Sequence, residues 1–257
     1  MPKTLVRFGV YADYSSEGFR YFGSTIGVGP TVMLPIAAMF ELFGVGLLQA
    51  RLVVVGYLLL AILAFFQLAR ALGSFSFAFI ATPILITSRG VTLLEYGREM
   101  LEVPGLFFIV AGFVLWFRAW EQAGGRRLVL IGLLFGLGIM TKCEYLLILG
   151  PTLALACMLN LFYYRGTPQR VILIPGMVAA LAFDAWQVYT ILYFGPATAS
   201  ENFALLREAV AGAATAFSSV LMKRAVVELL APKVFFWAWM PALVYGGSLS
   251  MRRTRQG

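Results

Sequence analysis

From Leu52 to Ala69 the chain carries no charged residue. Coiled as an α-helix, that stretch would run about 27 Å, close to the roughly 30 Å hydrocarbon thickness of a bilayer. Inside lipid only a helix or a closed barrel satisfies its own backbone, so the run Leu47 to Arg70 is predicted to be a membrane helix. The same reading applies to the apolar runs Phe75 to Thr87, Pro104 to Trp120, Leu128 to Thr141, Tyr145 to Tyr164, Val171 to Phe194 and Val234 to Leu249. The Phe75 and Leu128 runs fall short of an ordinary span of about 17–25 residues and are expected to extend into their flanking loops. The predicted fold is all-α, a polytopic membrane helix bundle of about seven spans. Composition agrees: 61% of residues are hydrophobic and 12% charged, with mean hydropathy +0.86. Soluble domains average about 45–50% apolar and about 25% charged, so a water-soluble globular enzyme is excluded.

The formal charge is +8. In a soluble protein that surplus would suggest a polyanion partner; in a membrane protein, basic residues at the cytoplasmic ends of spans account for it, and no nucleic-acid partner is expected. The chain has no histidine. Any catalysis must therefore use carboxylates, Lys, Arg, Tyr or backbone. Cys143 and Cys157 stand on one predicted helix about 21 Å apart, too far for a disulfide.

The connections between runs fall into two alternating classes. One is short and basic, with Arg70, then Arg118, Arg126 and Arg127, then Arg165 and Arg170, then Arg252, Arg253 and Arg255; Glu121 is its acid. The other is longer and holds Asp13, Glu17, Glu41, Glu95, Glu99, Glu102, Glu144, Glu201, Glu208 and Glu228. Basic density in short loops marks the first class as cytoplasmic, leaving the N-terminus outside and the C-terminus inside. Residues 1–46 then form an outer loop with juxtamembrane helices, 47–250 the transmembrane bundle with an outer loop at 195–232, and 251–257 a basic cytoplasmic tail. Met1 to Pro30 is polar and has no signal-peptide core, so a further helix is expected upstream in the full protein, the alternative being an N-tail translocated unaided by the following span.

Three outer clusters bring charge and aromatics together: Tyr11 to Tyr21 with Asp13, Glu17 and Arg20; Glu95 to Pro104 with Arg98, Glu99 and Glu102; and Thr141 to Tyr145 with Lys142 and Glu144. Between the first cluster and the first span, Thr31 to Phe43 is too short to span. Proline at its start and Gly44 at its end predict a helix along the outer interface; the competing reading is the outer half of a bent first span. The outer segment Ala197 to Ala231 reads as one or two amphipathic surface helices. Gly132 and Gly136, four residues apart, permit close helix packing.

The order of these features resembles a known family. An early acid in an outer loop is followed by Gly29-Pro30-Thr31-Val32-Met33-Leu34-Pro35, a helix ending Phe43-Gly44-Val45-Gly46, and Ala50-Arg51-Leu52 opening a span. An acid just before Pro104 and the run Gly136-Leu137-Gly138-Ile139-Met140-Thr141-Lys142 complete the pattern. Over residues 11 to 195 the chain resembles the GT-C membrane glycosyltransferases, in the branch of the dolichyl-phosphate-mannose protein mannosyltransferases and the bacterial lipid A aminoarabinose transferase. The family's enzymes are usually longer, which makes this chain look truncated. The resemblance implies transfer of a sugar, with inversion, from a polyprenyl-phosphate donor to an acceptor protein, lipid or glycan on the non-cytoplasmic side of a bacterial or archaeal cell membrane. It implies Asp13 as the base or acceptor-orienting acid, with Glu17 as rival. Glu102 would be the second loop acid, with Glu99 as rival, and Lys142 the contact to the donor phosphate, joined by Arg98, Arg51 and Arg89. Relatives leave room for a divalent metal such as zinc or magnesium; without histidine, a His-ligated site is excluded.

Asp184 lies inside the Val171 to Phe194 run, and a carboxylate there is costly enough to suggest function. It supports the competing reading, a small-solute or ion transporter using Asp184. The halves of the sequence show no repeat of the kind transporters use, and the acids crowd one surface. A third reading is an inactive fragment of the enzyme.

Overall fold

A computed structural model describes residues 2–10, 12–15, 18–21, 29–87, 102–119, 124–142, 144–164, 168–196 and 200. The elements in chain order are α1 (Pro2–Phe8), β1 (Ala12–Ser15), β2 (Gly18–Tyr21), α2 (Pro30–Phe43), α3 (Leu47–Leu72), α4 (Phe75–Thr87), α5 (Glu102–Ala119), α6 (Gly125–Thr141), α7 (Glu144–Leu159), continued by a π-helical turn over Asn160–Tyr164, and α8 (Arg170–Phe194). The expected all-α membrane bundle is the architecture observed. Helices α3 to α8 coincide with the first six apolar runs, each within a few residues. The run Val234–Leu249 lies outside the described residues, as does the 197–231 segment apart from residue 200.

Two features were not anticipated. Helix α1 precedes the first cluster, and within that cluster β1 and β2 pair antiparallel, with Asp13 opposite Arg20 and Tyr14 opposite Phe19. Aromatic residues on either side of a Ser-Ser-Glu-Gly connection favour a hairpin, a signal that the surrounding helical pattern outweighs on paper.

Helix α2 is a separate helix rather than the outer half of α3. It stops at Gly44, whose φ of 84° a side chain would resist, and the Gly44 amide closes the last turn on Phe40 O at 2.9 Å. Val32, Met33, Ile36 and Phe40 are buried against Val6 of α1 and Ala50 and Val53 of α3, whereas Leu34, Leu42 and Phe43 are exposed.

The packing order across the bundle is α3, α5, α6, α8, with α4 on α3 and α7 against α6 and α8. Helices α3 and α5 run parallel, since Tyr57 meets Phe107 and Phe108 with ring centroids 6.0 and 5.8 Å away, while Gln67 meets Arg118 further on. Helices α5 and α6 run antiparallel: a Cβ at Gly112 would strike the Phe135 ring, and one at Gly138 would strike Ile109. Helices α6 and α8 run parallel and very close. A Cβ at Gly132 would lie 2.7 Å from Pro175 O, and one at Gly136 would lie 2.6 Å from Ala182 Cβ. The predicted use of the Gly132 and Gly136 pair is thus met, with α8 as the partner. The core gathers on Phe135, which is fully buried against Phe113 and Trp116.

The outside is apolar: Leu59 and Leu63 of α3, Phe79 of α4 and Met177, Leu181 and Leu192 of α8 are all exposed. That surface suits lipid. Helices Leu47–Leu72 and Arg170–Tyr193 are long and apolar enough to cross a membrane.

The directions of the helices sort charge between two ends. Arg70 and Arg118 in the last turns of α3 and α5, Arg126 and Arg127 in the first turn of α6, and Arg170 at the start of α8 share one end, all exposed. Gly29, Glu102, Lys142 and Glu144 stand at the other.

Candidate active site

Two sequence motifs far apart in the chain meet at that second end. The start of α2 abuts the end of α6 so closely that a Cβ on Gly29 would overlap the Met140 carbonyl. Only glycine fits. Its amide donates to Thr141 O at 3.2 Å, and the Thr31 and Thr141 hydroxyls lie 2.7 Å apart. Thr141 Oγ1 also donates to Leu137 O at 2.7 Å. A hydroxyl has one proton, so Thr31 is the donor to Thr141 and the order Thr31, Thr141, Leu137 is fixed. Thr141 has no exposed surface.

Proline chemistry brings in a third helix. Thr31 O would ordinarily accept from the amide four residues on, which is Pro35 and has no N–H. The Tyr57 hydroxyl of α3 donates to Thr31 O instead, at 2.9 Å. The same repair recurs in the core: Pro175 leaves Val171 O without its helical donor, and Trp116 Nε1 of α5 donates to it at 2.9 Å.

This junction holds Lys142. The residue terminates α6 in extended conformation, its amide bonded to Gly138 O at 3.3 Å and its carbonyl to the Tyr145 amide at 3.1 Å. Its side chain is half-buried. The beginning of α5 lies alongside: Val103 and Pro104 are buried, and a Cβ at Gly105 would overlap the Tyr145 ring. Glu102, the first residue of α5, therefore opens at the same end as Lys142. A half-buried cation beside a carboxylate-bearing helix start is a set that can grip a phosphate and handle a proton, with the two threonine hydroxyls spent on fixing the junction.

Of the other expected site residues, Asp13 stands in β1, in register with Arg20. Arg51 is exposed near the start of α3, and no hydrogen bond or ion pair among the described residues joins it to Lys142. Glu17, Glu99, Arg98 and Arg89 lie outside the described residues. Asp184 is exposed, at the level of α8 just beyond its contact with Gly136, and among the described residues nothing encloses it as a transport site would be enclosed. No group of three or more Asp, Glu or Cys poised to hold a metal occurs among the described residues.

Sequence reasoning passed over Thr31 and Tyr57 as functional residues. A signal existed for both: Thr31 sits inside the Gly29 to Pro35 motif, and Tyr57 carries the only hydrogen-bonding side chain between Leu52 and Phe66.

The family model for dolichyl-phosphate-mannose-protein mannosyltransferase matches residues 28–189. The chain belongs to this mannosyltransferase family. The matched residues begin at the Gly29 junction and run into α8, taking in Arg51, Glu99, Glu102 and Lys142; Asp13 and Glu17 precede them. Membership in the mannosyltransferase family makes the chain a membrane-integral glycosyltransferase of the GT-C type. No curated protein and no solved structure gave a significant match.

Proposed function

We propose that the chain transfers a sugar from a polyprenyl-phosphate donor to an acceptor on the non-cytoplasmic side of the membrane, inverting the anomeric carbon. The observation that carries this reading is the Thr31–Thr141 junction, which ties Lys142 to a fixed place beside the start of α5. In the reaction an acceptor oxygen attacks the anomeric carbon as the bond from that carbon to the lipid-phosphate oxygen breaks. The hydroxyl proton goes to a carboxylate, and the charge growing on the departing phosphate is met by cations. Lys142 is the phosphate contact, assisted by Arg51 and Arg98. Asp13, with Glu17 as its rival, takes the proton; Glu102, with Glu99 as its rival, orients the acceptor.

The arginine-rich end faces the cytoplasm in this reading, as basic clusters in short loops do, which sets Lys142 and Glu102 outside. The chain is multi-pass, with about seven spans counting the run 234–249, and sits in a bacterial or archaeal cell membrane. Residues 1–46 form the outer part, 47–250 the bundle and 251–257 the basic tail.

The test is transfer by the full chain, reconstituted in vesicles with radiolabelled polyprenyl-phosphate sugars. Asp13→Asn is expected to lower turnover at least about a hundredfold, the usual scale of a lost proton-transfer group, and Glu102→Gln to lower it through a misplaced acceptor, both with unchanged helical content. Undiminished turnover in both variants would remove the assignment.

A further inference from the structure

A second charged site lies at the opposite end of the bundle, outside the transfer chemistry. Arg70 and Arg118 come from the last turns of two parallel helices, α3 and α5, and line one open cavity of about 480 Å3 together with Ala71 and Phe117. Arg118 is aimed by Gln67, whose Oε1 accepts from Arg118 Nη2 at 2.6 Å. Gln67 and Arg70 are three residues apart on α3 and so share a face. Among the described residues no carboxylate forms an ion pair with either arginine. Arginine at a helix C-terminus has an ordinary use in offsetting the helix dipole, but that use needs neither a shared cavity nor a glutamine holding one guanidinium in place.

The cavity is also amphipathic. Phe117 forms part of its wall and is exposed, and the α3 surface leading to it carries exposed Leu59, Leu60 and Leu63. A ligand that suits two guanidinium forks on one side and an apolar helix face on the other has a phosphate with acyl chains attached. We propose that Arg70 and Arg118 form a binding site for the phosphodiester headgroup of an anionic phospholipid, with its chains along α3. A free phosphate would offer the same charge but make no use of the apolar approach.

Purified full-length protein in neutral detergent would be titrated with a fluorescent phosphatidylglycerol, in parallel with phosphatidylcholine of the same chain length. Saturable binding that favours phosphatidylglycerol is expected, weakened about tenfold or more in R70Q/R118Q, as the loss of two cations at an anionic lipid implies. R70K/R118K, which keeps charge but loses the fork, should fall between the two. The charge-matched control R126Q/R127Q, removing two exposed arginines at the same end, should change affinity less than about twofold, within the scatter of distant surface charge. Millimolar inorganic phosphate should displace no more lipid than sodium chloride of equal ionic strength. The proposal is overturned by R70Q/R118Q binding phosphatidylglycerol like the parent, by an equal loss in R126Q/R127Q, or by specific displacement with inorganic phosphate.

Discussion

Thr141 shows how much one hydroxyl can hold at the residue scale. It is fully buried, accepts from Thr31 and donates to Leu137 O, so replacing it with valine keeps the shape and removes both bonds. A buried partner left unpaired costs about 1–3 kcal/mol. Thr141→Val is therefore expected to lower the thermal midpoint in detergent and to weaken donor binding through a less fixed Lys142; Thr31→Val/Thr141→Val, which removes both hydroxyls together, should be less destabilised than the sum of the single variants. Additive losses would show that the two hydroxyls do not act on each other. The sequence pointed to Lys142 through its motif. It could not show that Thr31, so distant along the chain, would be the residue touching Thr141, because pairing across the bundle depends on where each helix is packed.

Prolines inside helices supply the second scale of prediction. Pro35 and Pro175 each orphan a carbonyl, and an aromatic donor on a neighbouring helix serves it, Tyr57 for Thr31 O and Trp116 for Val171 O. Trp116→Phe is expected to cost about 1–3 kcal/mol from the unpaired carbonyl, and the cost should shrink in a Pro175→Ala background, where the helix supplies its own amide. An equal cost in both backgrounds, read from denaturation in detergent, would refute the repair. Helix contact makes another prediction. Leucine at Gly136 must displace Ala182 and the α8 backbone, so Gly136→Leu should destabilise the bundle by roughly 1–3 kcal/mol or more as an overpacked contact. Leucine at exposed Gly125, inside the first turn of α6 with open space around it, should leave the thermal midpoint nearly unchanged. The helices themselves were readable from apolar run length, because burial in lipid selects for that signal directly. The β1–β2 hairpin and α1 were not, since short elements in a polar segment carry too few residues to outweigh their surroundings.

For the whole molecule, the parallel and antiparallel contacts assign the ends of α3, α5, α6 and α8 to one of two poles, with Arg70, Arg118, Arg126, Arg127 and Arg170 at one and Gly29, Glu102 and Lys142 at the other. This polarity matches the alternation of loop charge seen in the sequence, which is why sidedness could be argued before any fold was known. The central claim is that the Lys142 pole receives the phosphate of a lipid-linked sugar. Its most direct measurement is equilibrium binding of radiolabelled polyprenyl-phosphate sugars to the purified full chain, beside Lys142→Ala and the conservative Lys142→Arg. Saturable binding that falls at least about tenfold in Lys142→Ala, as loss of a charge-assisted phosphate contact implies, and partly returns in Lys142→Arg is the predicted result. Binding equally tight in Lys142→Ala, or none across the sugars, would contradict it.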